Sequence, residues 1–152
     1  MLNFEYNGIE VISTVEMVSV KYTDAKRDNR TRLERNVNVA VKFWGFAIDN
    51  CNLFVLAFIK STLQYYMQCY WKRANKEGGK FEFEKALDSQ DGFFGKQSLR
   101  FTARQKAEKR TLHISFHSGG TIINEIYLDG QEVMMLDIAI GKAINLLSPN
   151  SL

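Results

Sequence analysis

Apolar and polar residues alternate along most of the chain, and alternation sustained over several positions predicts strands. Phe4-Glu5-Tyr6 opens an extended piece that Ile9, Val11, Ser13 and Val15 continue. Met17 to Thr23 reads as a strand, with Val18, Val20 and Tyr22 on one face and Ser19, Lys21 and Thr23 on the other. Asp24 to Glu34 has the polar, charged composition of a long hairpin loop. Arg35 to Phe46 returns as a longer strand, in which Val37, Val39, Val41 and Phe43 alternate with Asn36, Asn38, Ala40, Lys42 and Trp44.

The period then changes. Asp49 or Asn50 can cap a helix running to about Ala74. Leu53, Leu56, Ile59 or Lys60, Leu63, Met67 and Tyr70 follow helical spacing, and Phe54, Phe58, Tyr65 and Tyr66 add a second apolar strip. A stripe this wide predicts a helix covered on more than one side. Gly78-Gly79 ends it.

A second series follows. Phe81 to Lys85 is a short strand and Asp88 to Lys96 a loop. Ser98 to Gln105 sets Leu99, Phe101 and Ala103 opposite Arg100, Thr102 and Arg104. After the charged turn Lys106 to Lys109, Arg110 to His117 sets Leu112, Ile114 and Phe116 opposite Thr111, His113, Ser115 and His117. Thr121 to Leu128 and Gln131 to Leu136 flank Asp129-Gly130, a hairpin signal. Asp137 can cap a last helix, Ile138 to Leu147.

Three short matches recur in order. Phe4-Glu5-Tyr6 matches Phe81-Glu82-Phe83 at an offset of 77, Ser19 to Thr23 matches Ser98 to Thr102 at 79, and Arg35 to Val41 matches Arg110 to Phe116 at 75. With 152 residues in all, these offsets lie near half the chain. The pattern predicts a single domain built as an internal duplication, residues 1–77 and 78–152, although unrelated meanders share the same strand grammar. The first half lacks a counterpart of the Asp129-Gly130 hairpin, and its helix reads as more than twice as long. The expected fold is α+β, with two tandem strand-meander-plus-helix repeats.

Composition narrows the class. Hydrophobic residues at 45% and charged residues at 24% suit a folded domain, and a single proline, Pro149, leaves no Pro-rich linker. The longest uninterrupted apolar run, Leu53 to Ile59, is too short to span a bilayer, and no signal peptide is visible. The expected setting is intracellular, in the cytoplasm, or in the nucleoid or nucleus if DNA-bound. Cys51 and Cys69 both fall in the expected first helix, about 27 Å apart at 1.5 Å per residue, and read as free thiols.

Catalytic motifs are mostly missing, with no Gly-rich phosphate loop, G-x-S-x-G or H-E-x-x-H, so the reading is a binding protein without cofactor. His113 and His117 share one strand face with no Cys or acidic pair to complete a metal site, which favours a polar surface. The net charge is only +3, but the cations cluster. One group, from Lys21 to Lys42, is Lys21, Lys26, Arg27, Arg30, Arg32, Arg35 and Lys42, against three acids. The other is Arg100, Arg104, Lys106, Lys109 and Arg110 with Lys96, against the single acid Glu108. Both sit on the polar face and tip of a long hairpin, where phosphates could track, although a solvated hairpin has the same composition. Trp44 and Phe46 share the register of Lys42, and Trp44 reads either as a stacking platform for bases or as core or interface packing.

The order of about four strands and a helix, twice over with basic hairpins, resembles the superfamily that holds the plant Whirly proteins, the kinetoplastid guide-RNA-binding proteins and the transcription coactivator positive cofactor four. The resemblance rests on Phe81-Glu82-Phe83, Ser98 to Gln105, Arg110 to Phe116, and a last hairpin running into Leu136-Asp137 and a helix. It implies curved antiparallel sheets packed through helices, with single-stranded DNA or RNA across the exposed strands. It places Lys21, Lys42, Arg100, Arg104, Arg110 and His113 on that surface. The expected function is sequence-tolerant binding of single strands in DNA replication, recombination or transcription, by a homo-oligomer joined through its helices. The competing expectation is a protein-interaction or assembly module, such as a small viral regulatory or inhibitor protein, motivated by the apolar surface of Leu53 to Trp71.

Overall fold

Two-residue turns with positive φ fold the alternating segments back on themselves. In the computed structural model, which describes residues 2–21, 31–74, 81–87, 97–105 and 111–148, β1 (Leu2–Tyr6) returns as β2 (Ile9–Lys21) through Asn7-Gly8. β3 (Thr31–Phe43) returns as β4 (Phe46–Cys51) through Trp44-Gly45. The φ values are 50° and 84° in the first turn and 48° and 88° in the second. Positive φ at both central residues matches the twist of the flanking strands and makes the tightest hairpin. The second half runs β5 (Phe81–Leu87), β6 (Gln97–Gln105), β7 (Leu112–Ser118) and β8 (Thr121–Leu128), with Gly119-Gly120 between the last two. Helix α1 (Leu53–Ala74) follows the first four strands and α2 (Gly130–Leu147) the second four. Both sheets are antiparallel meanders, β1-β2-β3-β4 and β5-β6-β7-β8. The fold is therefore α+β, with a four-stranded meander and a helix occurring twice.

Several sequence expectations change. Met17 does not begin a strand. β2 is continuous from Ile9, and Ile9, Val11 and Ser13 are its core residues, so Val18 lies on the outer face. The expected loop to Glu34 ends earlier, because β3 starts at Thr31. Phe46 is not beside Lys42 on a polar face. The turn at Trp44-Gly45 reverses the chain, and Phe46 is buried in β4. Asp49 and Asn50 belong to β4 rather than to a cap. Asn52 caps α1, its Oδ1 accepting from Val55 N at 2.8 Å. Cys51 accordingly ends a strand, and only Cys69 lies in the helix.

Asp129-Gly130 is the helix start rather than a hairpin. Glu132 N donates to Asp129 Oδ1 at 2.8 Å, and Asp129 N donates to Glu132 Oε1 at 3.0 Å. This capping box satisfies two backbone N–H groups that a helix start leaves open. Gln131 to Leu136 are therefore helical, and Asp137 sits inside α2 and caps nothing. The first half does carry a tight hairpin late in its meander, at Trp44-Gly45, and its counterpart is Gly119-Gly120. The helices are 22 and 18 residues long, far from a twofold difference. Gly78-Gly79 and Asp88 to Lys96 lie outside the described residues.

One core joins the halves. Val37, Val39, Val41 and Phe43 of β3 and Leu112, Ile114 and Phe116 of β7 face inward, as their alternation requires. Phe46 stacks on Phe116 across the two sheets, with centroids 5.5 Å apart. Val55, Leu56, Ile59, Leu63 and Tyr66 bury one stripe of α1. The expected second stripe is only partly covered, because Phe54 and Tyr65 are exposed. The helices cross over. From α1, Phe58 meets Phe101 of β6 edge-on at 6.3 Å, and Tyr65 lies under the Lys85 ammonium of β5. From α2, the Lys142 ammonium lies 4.7 Å over the Phe4 ring of β1. Between the helices, Lys60 Nζ pairs with Asp137 Oδ1 at 3.1 Å.

Candidate nucleic-acid interface

The outer faces of the two sheets differ in charge pairing. On β3, Arg32 forms an ion pair with Glu34, and Lys42 stands directly opposite Glu10 in the register. Arg32 and Lys42 are ten positions apart, about 33 Å along a strand. Arg35 pairs in register with Met17 on the opposite side of the hairpin from Arg32. Lys21 pairs with Thr31 at the far end. The first sheet thus spreads its basic residues over both faces and sets acids beside two of them. Arg27 and Arg30 lie outside the described residues.

Trp44 occupies the β3–β4 turn with φ 48° and is 37% exposed. Its ring meets Phe43 edge-on at 6.0 Å, and its indole lies against Gly8. Beside it a concavity of about 490 Å³ is lined by Glu10, Lys42, Trp44 and Ala47 among others.

The second sheet gathers its polar side chains. Alternation on β6 and β7 puts Ser98, Arg100 and Thr102 beside His117, Ser115 and His113, in that order of pairing. β8 adds Tyr127 opposite His113 and Glu125 opposite Ser115. Thr102 Oγ1 lies 3.3 Å from His113 Nδ1, and His113 Nε2 lies 2.9 Å from Glu125 Oε2. A carboxylate can only accept, so His113 Nε2 donates to Glu125, and Nδ1 shares a hydrogen bond with the Thr102 hydroxyl. The His113 ring stacks on Tyr127, centroids 4.4 Å apart at 11°, and Tyr127 is itself 60% exposed. Ser115 Oγ, buried between the rows, lies 2.8 Å from His117 Nε2. Arg100 is half-buried, and its Nε donates to Ser98 Oγ at 3.3 Å. Among the described residues no carboxylate lies within ion-pair distance of Arg100.

Of the residues picked out in the sequence, the structure brings Arg100 and His113 onto one face, with Arg104 on the same strand and paired in register with Glu82. Lys106, Lys109 and Arg110 lie outside the described residues. Sequence reasoning did not select Tyr127, Ser98, Ser115 or His117. Their alternation was visible, but the pairing of β8 with β7 shifts at Phe116/His117, and a bulge of that kind leaves no mark in the pattern. Among the described residues no group of three His, Cys, Asp or Glu is placed to hold a metal ion, and no helix is long and apolar enough to cross a membrane.

Sheet order, strand direction and helix placement define a protein of two meander-plus-helix halves sharing one core. Among solved structures the chain is similar to WHY3 from Arabidopsis thaliana, at 8% identity and a TM-score of 0.38, covering 97% of this chain and 88% of that one. It is similar also to the plant transcriptional regulator PBF-2, at 12% identity and a TM-score of 0.37 over 96% of this chain and 81% of that one. WHY1 from Arabidopsis thaliana gives 10% identity and a TM-score of 0.37 over 97% and 85%. No family model and no curated protein matches the sequence.

Proposed function

We propose that the chain binds single-stranded DNA or RNA, with little sequence preference, across the outer face of the β5–β8 sheet. The observation that carries the proposal is the Tyr127–His113 stack beside an Arg100 that has no carboxylate partner among the described residues. A tyrosine backed by a second flat ring and open to solvent offers its face to a base, and such stacking contributes ~1–3 kcal/mol per base for any base type. Arg100, Arg104 and the basic residues Lys106, Lys109 and Arg110 of the following segment supply phosphate pairing, which is sequence-independent. Arg27 and Arg30, between β2 and β3, and Lys21 at the end of β2 extend the same role to the β2–β3 hairpin.

Titration of a labelled oligonucleotide tests this. Binding is expected at low salt and is expected to fall steeply as salt rises. Tyr127→Ala weakens it about tenfold, the loss of one stacking contact. Arg100→Glu weakens it further and reduces the salt slope. No retention of single strands at low salt would overturn the reading.

Association through the helices is the second element of the proposal. Met134, Ile138 and Leu146 form an exposed apolar row on α2, interrupted by Lys142. Light scattering is expected to show an oligomer that Ile138→Glu breaks, and a monomer at all concentrations would count against it.

A further inference from the structure

Arg100 poses a problem that stacking does not answer. A half-buried guanidinium gives up part of its hydration, and without an acid beside it the charge is poorly compensated. On the same face Glu125 stands two strands across from Arg100 and is already held by His113. Glu84 of β5 pairs with Thr102, one row removed from Arg100. The polar groups beside Arg100 on β6 and β7 are hydroxyls and imidazoles. Ser98 accepts from Arg100 Nε, which leaves the two terminal nitrogens of the guanidinium as donors. His117 pairs directly with Ser98 across the strands, and Arg100 pairs with Ser115, so the guanidinium and the His117 ring lie diagonally on either side of a serine pair.

We infer that Arg100 and His117 together seat one phosphate of the bound strand, and that His117 takes up a proton when the seat is filled. The inference rests on the nucleic-acid reading and adds its pH regulation. Burial holds the free His117 imidazole below its ordinary value, and Arg100 and His113 push it the same way against an opposing pull from Glu125. The free protein therefore carries His117 neutral near neutral pH. Ser115 allows both states. With the ring neutral, Nε2 accepts from the Ser115 hydroxyl. With the ring protonated, Nε2–H donates to the same oxygen at the same 2.8 Å. Nδ1 has no hydrogen-bond partner among the described residues and is the atom that would meet a phosphate oxygen as an N–H donor. A phosphate between the guanidinium and the ring also screens the repulsion that keeps the proton off.

The affinity of an oligothymidylate, measured at fixed ionic strength, is expected to tighten several-fold from about pH 7.5 to about pH 5.5, with a ceiling of about tenfold per pH unit for one proton. His117→Asn should bind with a flat pH profile over that range, while His113→Asn should keep the slope. Histidine NMR of the unmodified protein supplies a readout that needs no variant. The His117 resonance should titrate at higher pH once inorganic phosphate or the oligonucleotide is added. Binding without a pH slope, a slope that survives His117→Asn, or an unmoved His117 titration would overturn the inference and leave the nucleic-acid reading standing. No oligonucleotide binding at any pH would overturn both.

Discussion

Trp44 stands in a left-handed conformation, which costs an L-residue about 1–2 kcal/mol. It is held there by Phe43 and by Gly8, whose missing side chain makes the room. A Cβ on Gly8 would lie 2.8 Å from Trp44 Nε1, whereas one on Gly45 would meet nothing within 4 Å. The two glycines share nearly the same φ, 84° and 88°, so they separate backbone strain from crowding. Gly45→Ala is expected to cost about 1 kcal/mol in urea unfolding, and Gly8→Ala about 2 kcal/mol. Adding Trp44→Ala to Gly8→Ala should recover part of the difference. Burial pushes the Cys51 thiol up to about 12, with Asp49 adding to it, so alkylation of the native protein should proceed at Cys69 and spare Cys51. His117 sets a pH limit on stability. Its folded value lies below the ordinary 6.5, so its contribution is complete above 6.5 and is lost as pH falls through the folded value. Thermal unfolding should show this as a loss of stability on the acid side of 6.5 that His117→Asn lacks. The residue-level faces of β3, β6 and β7 were legible in the sequence because period-two alternation fixes them. The role of Trp44 was not, because a turn between two apolar strands reads as one long strand when its first residue is aromatic.

Local chemistry decides the element boundaries. Asp129-Gly130 resembles a hairpin turn, yet Asp129-x-x-Glu132 is also the spacing of a capping box, and the box prevails because the apolar positions that follow recur with helical period. Conversely, Asn7-Gly8 is a strong hairpin dipeptide that the uninterrupted alternation around it concealed. Asp129→Ala should lower stability by about 1 kcal/mol, seen as a shift of the denaturation midpoint. The Lys60–Asp137 pair could not be read from the sequence at all, since it joins residues 77 apart on different helices. Its side chains are 32% and 15% exposed, and Asp137→Ala leaves the lysine partly desolvated without its acid. That single change should destabilise by about 1–3 kcal/mol, and adding Lys60→Met should restore much of the loss.

At the scale of the molecule, the two sheets offer different outer faces despite their similar order. The first sets Glu34 beside Arg32 and Glu10 opposite Lys42, while the second sets hydroxyls and imidazoles around Arg100. Charge clusters in the sequence could not show this difference, because it depends on which residue of a neighbouring strand stands opposite. Substitutions on the second sheet should therefore weaken oligonucleotide binding more than Lys42→Glu on the first.

The crossed helices have a consequence for how the chain folds. Each reaches the sheet made by the other half, through Phe58 on Phe101 and Lys142 over Phe4. Neither half can complete its hydrophobic cover until the other is present. Contacts so distant in sequence must close large loops before they stabilise anything, so the joining of the halves should follow the pairing of neighbouring strands. A peptide ending at Ala74 and another starting at Phe81 should each lack a cooperative melt, and mixing them should restore one.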